Sequence, residues 1–536
     1  MSHPIAGTRS AARMVPALSI LSALATFAAL QIIACWLTGG FDYPLDDPYI
    51  HLAIAEQIAA GGYGVNAGEY ASPGSSALYP LLLVPFHGTD LHRFMPLFWN
   101  IVGLVASSYL WGRLLAEAGW GHASWRVAGI AAAVIGPLAF MTPVVATLGM
   151  EHALHVACAL AVVLGLHRHI GTGQGTALIL AGAFLGTAFR LEGAALAILA
   201  GAALMLTGKR GAGGATVLAG LLPIALFAVF LMSLGLDPMP SSVKAKLAIM
   251  EGAQSAWQER LAVFGVNVTA PAGLLIAGLA LATFVLSRLS PRIRDSRWAT
   301  FAGVIALAAF AHLLFGQIGW LDRYENYILM VSAAGFLAIL PKAYDDAPDA
   351  RAFGAVAAML IAGFVTYKMP FSAERIVKGA RAIHLQQGQM ATFAKDYLRT
   401  PVAVNDLGRV AFQNPDYVLD LWGLASEEAR EVRLNNPAPG WTGEMTDARS
   451  IPVAMIYDHW FDAGQEGDQT GETWVRLGML NLTVEGGFLG AYQVAFYATS
   501  PDTAPMLETA ISAWEPTLLP GSQFVWDKSY DREGRE

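Results

Sequence analysis

Only two cysteines stand among 536 residues, Cys35 and Cys158, and both fall inside apolar runs. No disulfide framework can be built from them, so any part outside the cytoplasm must fold by core packing. Charge is scarce too: 14% of residues are charged and 55% are hydrophobic, with a mean hydropathy of +0.47. A water-soluble chain of this length would need more charge to cover its surface. The net charge of −8, with no basic arm, argues against a nucleic-acid partner. The phosphate-cradling Gly-x-x-x-x-Gly-Lys-Ser/Thr, the paired Cys-x-x-Cys and the Gly-x-Ser-x-Gly nucleophile elbow are all missing. No short fixed repeat is present.

What the chain has is long apolar stretches. About eleven reach or approach the roughly 20 residues a bilayer requires. Their approximate limits are 16–37, 93–116, 126–142, 147–167, 174–189, 191–208, 215–236, 270–287, 299–316, 327–341 and 352–369. The first follows Arg9 and Arg13, is long for a signal peptide and lacks a clean cleavage site, so it reads as an uncleaved span. With the N-terminus in the cytoplasm, the inner loops hold Arg126, Arg168, Lys209, Arg210, Arg288, Arg292, Arg294, Arg297, Lys342 and Arg351. The outer loops hold fewer cations, chiefly Arg93, Lys244, Lys246, Arg260 and Arg323, as the positive-inside rule demands. An odd number of spans leaves the tail outside.

That tail is different in kind. From about residue 370 to 536 charged and turn residues rise, and no run reaches membrane length. A helical pattern over 372–398 precedes strand-like "PVAVND" (401–406), "IPVAMIY" (451–457) and "AYQVAFYATS" (491–500), and 505–514 reads as a helix. The expected architecture is therefore mainly α. Residues 1–369 form a polytopic transmembrane helical bundle, and residues 370–536 form a small extracytoplasmic α/β domain.

Asp46 and Asp47 stand side by side just beyond the first span. "DPYIHLAIAEQIAAGG" carries helix grammar, with Asp47 as a good N-cap, Pro48 at the first helical position and Gly61–Gly62 as a stop. Ile50, Ile54 and Ile58 form a stripe, and about 13 residues are too few to span, so the helix should lie in the membrane interface. "SSALYPLLLVPF" (75–86) should do the same. Capping explains Asp47 but not Asp46, and a carboxylate at the membrane edge is a mark of function. The acidic pair of "AYDDAPDA" (343–350) falls in an inner loop beside Lys342 and Arg351, where charge is cheap, and is assigned no function.

Here the residues resemble a family. Asp46, Asp47, Tyr49 and Ile50, then Asn66, Gly68, Glu69, Ser72 and Pro73, are similar to the first outer loop of bacterial GT-C glycosyltransferases. The likeness is greatest to the terminal arabinofuranosyltransferase-like and protein mannosyltransferase-like branch. "LGMEHAL" (148–154), "FRLEG" (189–193), "DPMPSSVKAK" (237–246) and "DRYENY" (322–327) resemble further segments of the pattern, and 402–424 resembles the start of the family's extracytoplasmic domain. Pro48, His152 and Leu191 depart from it. The resemblance implies transfer of a sugar from a polyprenyl-phosphate donor to a glycan, lipid or protein acceptor, at the outer face of the inner membrane, with the first acid of the pair as base.

The chemistry suits the residues on its own terms. A hydroxyl attacking an anomeric carbon needs a carboxylate to take its proton, and a phosphate leaving group needs cations. Asp46 is the expected general base, with Asp47 assisting. Lys244, Lys246, Arg323, Tyr324 and Arg190 are the expected contacts of the donor phosphate. Arg323 could instead pair with Asp322 or Glu325, and Arg190 with Glu192. Glu151, His152, Glu192, Tyr63, Asn66 and Glu69 are the expected acceptor contacts, although the turn-forming "GGYGVNAGE" accounts for the last three equally well. His152, His155 and Glu151 could also hold a divalent cation, but no third ligand is fixed by spacing, and no cofactor is required. The rival reading is a transporter of a lipid-linked glycan. It would call for intramembrane charges along a path and pseudo-symmetric halves, and neither is evident.

Overall fold

The computed structural model describes residues 6–248, 256–344, 346–435, 438–462 and 468–530. Among them, eight helices are long and apolar enough to cross a membrane: Arg13–Thr38, His92–Ala118, His152–Thr172, Arg210–Ser233, Pro271–Leu289, Trp298–Phe315, Asn326–Ala343 and Ala350–Leu398. Their outward faces carry bare apolar side chains such as Trp36 and Leu218, 78% and 64% exposed, a surface suited to lipid. The chain is a multi-pass membrane protein. The remaining three expected stretches form 14-residue helices, Arg126–Ala139, Thr176–Phe189 and Gly193–Leu206, each about 21 Å long. The last two make a hairpin turned at Arg190–Glu192. A Cβ at Gly193 would lie 2.6 Å from the Gly186 carbonyl carbon, so only glycine lets the two helices meet there.

The C-terminal domain meets the first loop at Asp46 and Asn66 and a later loop at Lys244. That domain holds a six-stranded sheet of β1 (Val402–Val404), β2 (Val418–Asp420), β3 (Val453–Ile456), β4 (Val475–Leu482), β5 (Gln493–Ala498) and β6 (Ser522–Trp526). Its order is β2-β1-β3-β5-β4-β6. β1 pairs in parallel with β2 and β3, whereas β5, β4 and β6 are antiparallel. Alternation along the strands divides the core. Val402, Val404, Val453 and Met455 pack with Phe393 and Trp514, and Ala403, Ala454 and Ile456 pack with Trp441 and Phe461. The three strands and the helix read from sequence are present (the helix at Ala504–Trp514), and β2, β4 and β6 join them.

The boundary expected at 369/370 falls inside one continuous 36-residue helix, Ala350–Leu385, which passes through Pro370. The helix Asp47–Ala59 forms with the expected length, and Pro48 to Ala55 are all buried. The second loop segment is helical only over Tyr79–Leu83.

Candidate functional site

The capping expectation for Asp47 requires correction. Asp46 occupies the N-cap position and Asp47 opens the helix, yet Asp46 makes no side-chain cap hydrogen bond. Both carboxylates are drawn to distant partners instead. Asp46 Oδ2 accepts from the Gly408 backbone N–H at 2.5 Å and Oδ1 from that of Arg409 at 2.7 Å. Gly408 must be glycine for this approach, because its Cβ would stand 2.6 Å from Asp46 Oδ2. Asp47 Oδ2 accepts from Arg323 Nη1 at 2.5 Å.

Asp406, just past β1, brings a second carboxyl group into hydrogen-bonding contact with Asp46. Burial and this like charge push the Asp46 carboxyl well above the usual carboxylate range. Burial raises Asp406 as well. Two buried carboxyl groups in contact retain a proton between them. Gln387 Nε2 and the Tyr457 hydroxyl donate to Asp406 Oδ2 at 2.7 and 3.2 Å. Asp406 lay unremarked at the end of "PVAVND"; its position after a buried parallel strand was the available signal, since such ends are where α/β sheets bind ligands.

The facing wall is cationic. A left-handed turn through Trp320, Leu321 and Asp322, with φ of +50, +62 and +64°, reverses the chain. Lys368 and Ser372 anchor the turn by binding Asp322 at 2.6 and 2.5 Å. Each such residue is strained by roughly 1–2 kcal/mol, and the result is to face Arg323 inward. Two guanidinium groups approach Tyr324, with Arg323 5.1 Å and Arg190 5.5 Å from its ring centroid. Arg190 is saturated with carboxylates: Nη1 donates to Glu151 at 2.9 Å and Nη2 to Glu192 at 2.8 Å. Arg323 donates from Nη2 to the Tyr324 hydroxyl at 3.2 Å, and its buried Nε has no hydrogen-bond partner among the described residues.

Asp46, Asp47, Arg190, Arg323, Tyr324 and Asp406 all line one cavity of about 670 Å³, closed on the domain side by Asn405, Trp422 and Trp460. This volume is ordinary for a small-molecule site. His51 also lines it. Its Nε2 lies 3.9 Å from Glu151 Oε2, and burial lowers its pKa, which keeps the ring neutral.

The other expected site residues are placed elsewhere. Lys244 is not among the cavity-lining residues; its Nζ is held by Asp237 and lies 3.5 Å from Glu427 Oε1. Lys246 shares its helix, but its side chain lies outside the described residues. Glu151 is buried behind Arg190 and Ser75, and the buried His152 ring stands 6.1 Å from that of Tyr324. Tyr63 packs edge-on against Phe230 at 5.0 Å. Asn66 acts as a strand extension: its Oδ1 accepts from Val418 N and its Nδ2 donates to Val418 O, both at 2.9 Å, with Glu69 also in reach at 3.0 Å. These last three residues fasten the first loop to its surroundings. Among the described residues no group of three His, Cys, Asp or Glu converges as a metal site. In "AYDDAPDA", Asp346 accepts from Ser290 Oγ at 2.9 Å, and Asp345 lies outside the described residues.

A family model described as a domain of unknown function, DUF8728, matches residues 379–497, a minority of the chain centred on the C-terminal sheet. No curated protein matches. Solved structures similar to this one include ArnT from Cupriavidus metallidurans bound to undecaprenyl phosphate, at 12% identity and TM-score 0.46. The alignment covers 90% of this chain and 98% of that one. The apo state of the same protein gives 13% identity, the same TM-score of 0.46 and the same shares of 90% and 98%. The arabinofuranosyltransferase AftD from Mycobacteria is similar at 14% identity and TM-score 0.42, over 91% of this chain and 41% of that one.

Proposed function

We propose that the protein is a membrane glycosyltransferase. It takes a sugar from a polyprenyl-phosphate donor and passes it to an acceptor hydroxyl at the outer face of the bacterial inner membrane. Its N-terminus is cytoplasmic and its C-terminal domain is periplasmic. One observation carries the reading: a single cavity at the end of the bundle has the Asp46–Asp406 carboxyl pair on one wall and the Arg323–Tyr324–Arg190 array on the other.

The reaction divides between these walls. The acceptor oxygen forms a bond to the anomeric carbon as its proton passes to Asp46, whose proton affinity is raised by burial and by Asp406. The bond from the anomeric carbon to the phosphate oxygen breaks, and the phosphate leaves with the electron pair. Arg323, with Nε uncommitted, meets the growing charge. Arg190 acts as a positioning residue, holding Tyr324 from behind. Asp47 orients Arg323 by ion pairing.

Purified protein in lipid nanodiscs, given a polyprenyl-phosphate sugar and a glycan acceptor, tests this. Transfer should fall at least about 100-fold in Asp46→Asn and Asp406→Asn, the scale of lost acid–base catalysis. Undiminished transfer in both variants would remove the mechanism. Movement of labelled lipid across vesicles with no chemical change would establish the transporter instead.

A further inference from the structure

We infer that the acceptor is a carbohydrate chain, held by Trp422, Trp460 and Asn405 of the C-terminal domain. The inference rests on the reading above for its place in the reaction, but the binding site stands on its own geometry. The parallel strands β2, β1 and β3 all end at the cavity, and the residues following them supply its domain-side wall. Past β2 comes Trp422, past β1 come Asn405 and Asp406, and past β3 comes Trp460. This is the carboxyl edge of a parallel sheet, where small-molecule sites recur.

The two indoles meet at a centroid distance of 4.3 Å and an interplanar angle of 47°, which makes a rigid apolar corner. Each is fixed from behind. Asp420 Oδ1 accepts from the Trp422 backbone N–H at 2.9 Å, and the Arg433 guanidinium sits 3.8 Å from the Trp422 ring centroid. Gly490 presses backbone against Trp460, since a Cβ there would lie 2.6 Å from the indole. Beside the corner, Asn405 is 4% exposed. Its Oδ1 accepts from Tyr457 N at 2.8 Å, which leaves Nδ2, a buried donor with no partner among the described residues, on a residue that lines the cavity.

Half-buried indoles that line the cavity beside a free amide donor and a carboxyl pair match the two-sided chemistry of a sugar ring. Its C–H face covers an indole and its hydroxyls reach polar groups at the ring edge. A lipid chain would leave Asn405 unsatisfied. A peptide would add to a free strand edge, but the Asn66 side chain already occupies β2 at Val418.

The test is direct binding by the full-length protein in nanodiscs. The probes are arabinofuranose, mannose and glucose hexasaccharides, a serine- and threonine-rich peptide, and undecaprenyl phosphate. At least one hexasaccharide should bind. Trp422→Ala and Gly490→Ala should weaken that binding 10-fold or more, while undecaprenyl phosphate binding stays within 2-fold. Trp422→Phe, with its thermal stability checked, should restore binding to within about 3-fold. No hexasaccharide binding, binding of the peptide alone, or glycan binding indifferent to Trp422→Ala in a folded protein each overturns the inference. Tryptophan-dependent glycan binding with no sugar transfer from any donor keeps the glycan site and discards the glycosyltransferase. Transfer to a non-glycan acceptor does the reverse.

Discussion

Asp46 and Asp406 face each other carboxyl to carboxyl across the seam between the first loop and the C-terminal domain. Only Asp46 also clamps the Gly408 and Arg409 amides. The two residues can therefore be separated by experiment: Asp406 serves the proton, and Asp46 serves both the proton and the clamp.

Asp406→Asn should shift the acid limb of the residual pH–rate profile to lower pH. The base works only when deprotonated, and removal of the like charge lowers the Asp46 proton affinity. Stability changes with the opposite sense. A carboxyl whose folded pKa is raised is destabilising above its unfolded pKa, and the loss grows as pH rises toward the folded value. Asp406→Asn should thus melt higher than the parent near pH 7.5, and the gain should vanish near pH 4, the ordinary carboxylate range. Thermal melts across that window check both signs.

Arg323→Lys should bind polyprenyl phosphate about 10-fold more weakly than the parent, a loss worth about 1.4 kcal/mol. A lysine carries the charge but cannot hold Asp47 and Tyr324 while offering a further N–H. Isothermal titration with the lipid phosphate in nanodiscs reads the difference, and recovery of full affinity in the lysine variant would contradict the geometry.

Lys244→Ala should leave transfer within about 3-fold of the parent. Its ammonium is engaged by Asp237 and Glu427 away from the cavity, and partly exposed pairs of this kind contribute about 0–1 kcal/mol. Steady-state kinetics at low and high donor concentration would expose any phosphate role as a raised KM.

Asn66→Ala should cost about 1–2 kcal/mol, because it removes both hydrogen bonds to Val418 and leaves that edge of β2 uncovered. Hydrogen exchange at Val418 should accelerate, with little change at the Asp46 clamp.

The membrane body was legible because apolar run length is a one-dimensional property, and all eleven stretches became helices. Asp46 and Asp47 were legible for the opposite reason, as charges set against a greasy background. Partners distant in sequence were not. Nothing local to "PVAVND" announces that its last residue meets Asp46, and nothing in "SSVKAK" shows Asp237 and Glu427 closing on Lys244. Asn66 resembles a turn residue in sequence because an amide that imitates a strand has no periodicity to betray it. The sequence divides the Ala350–Leu385 helix near residue 370 because the apolar run ends there and charged residues become frequent. Here the helix runs through that point, joining the bundle to the domain.

That unbroken helix makes the cavity a matter of phase. One wall is anchored in the bundle and the other rides on the far end of a rod about 54 Å long, at 1.5 Å per residue. One residue added near Pro370 would rotate the far end by about 100° and advance it about 1.5 Å. Each half would keep its own packing, but Asp406 would turn away from Asp46, so the two halves work only when the screw between them is in register.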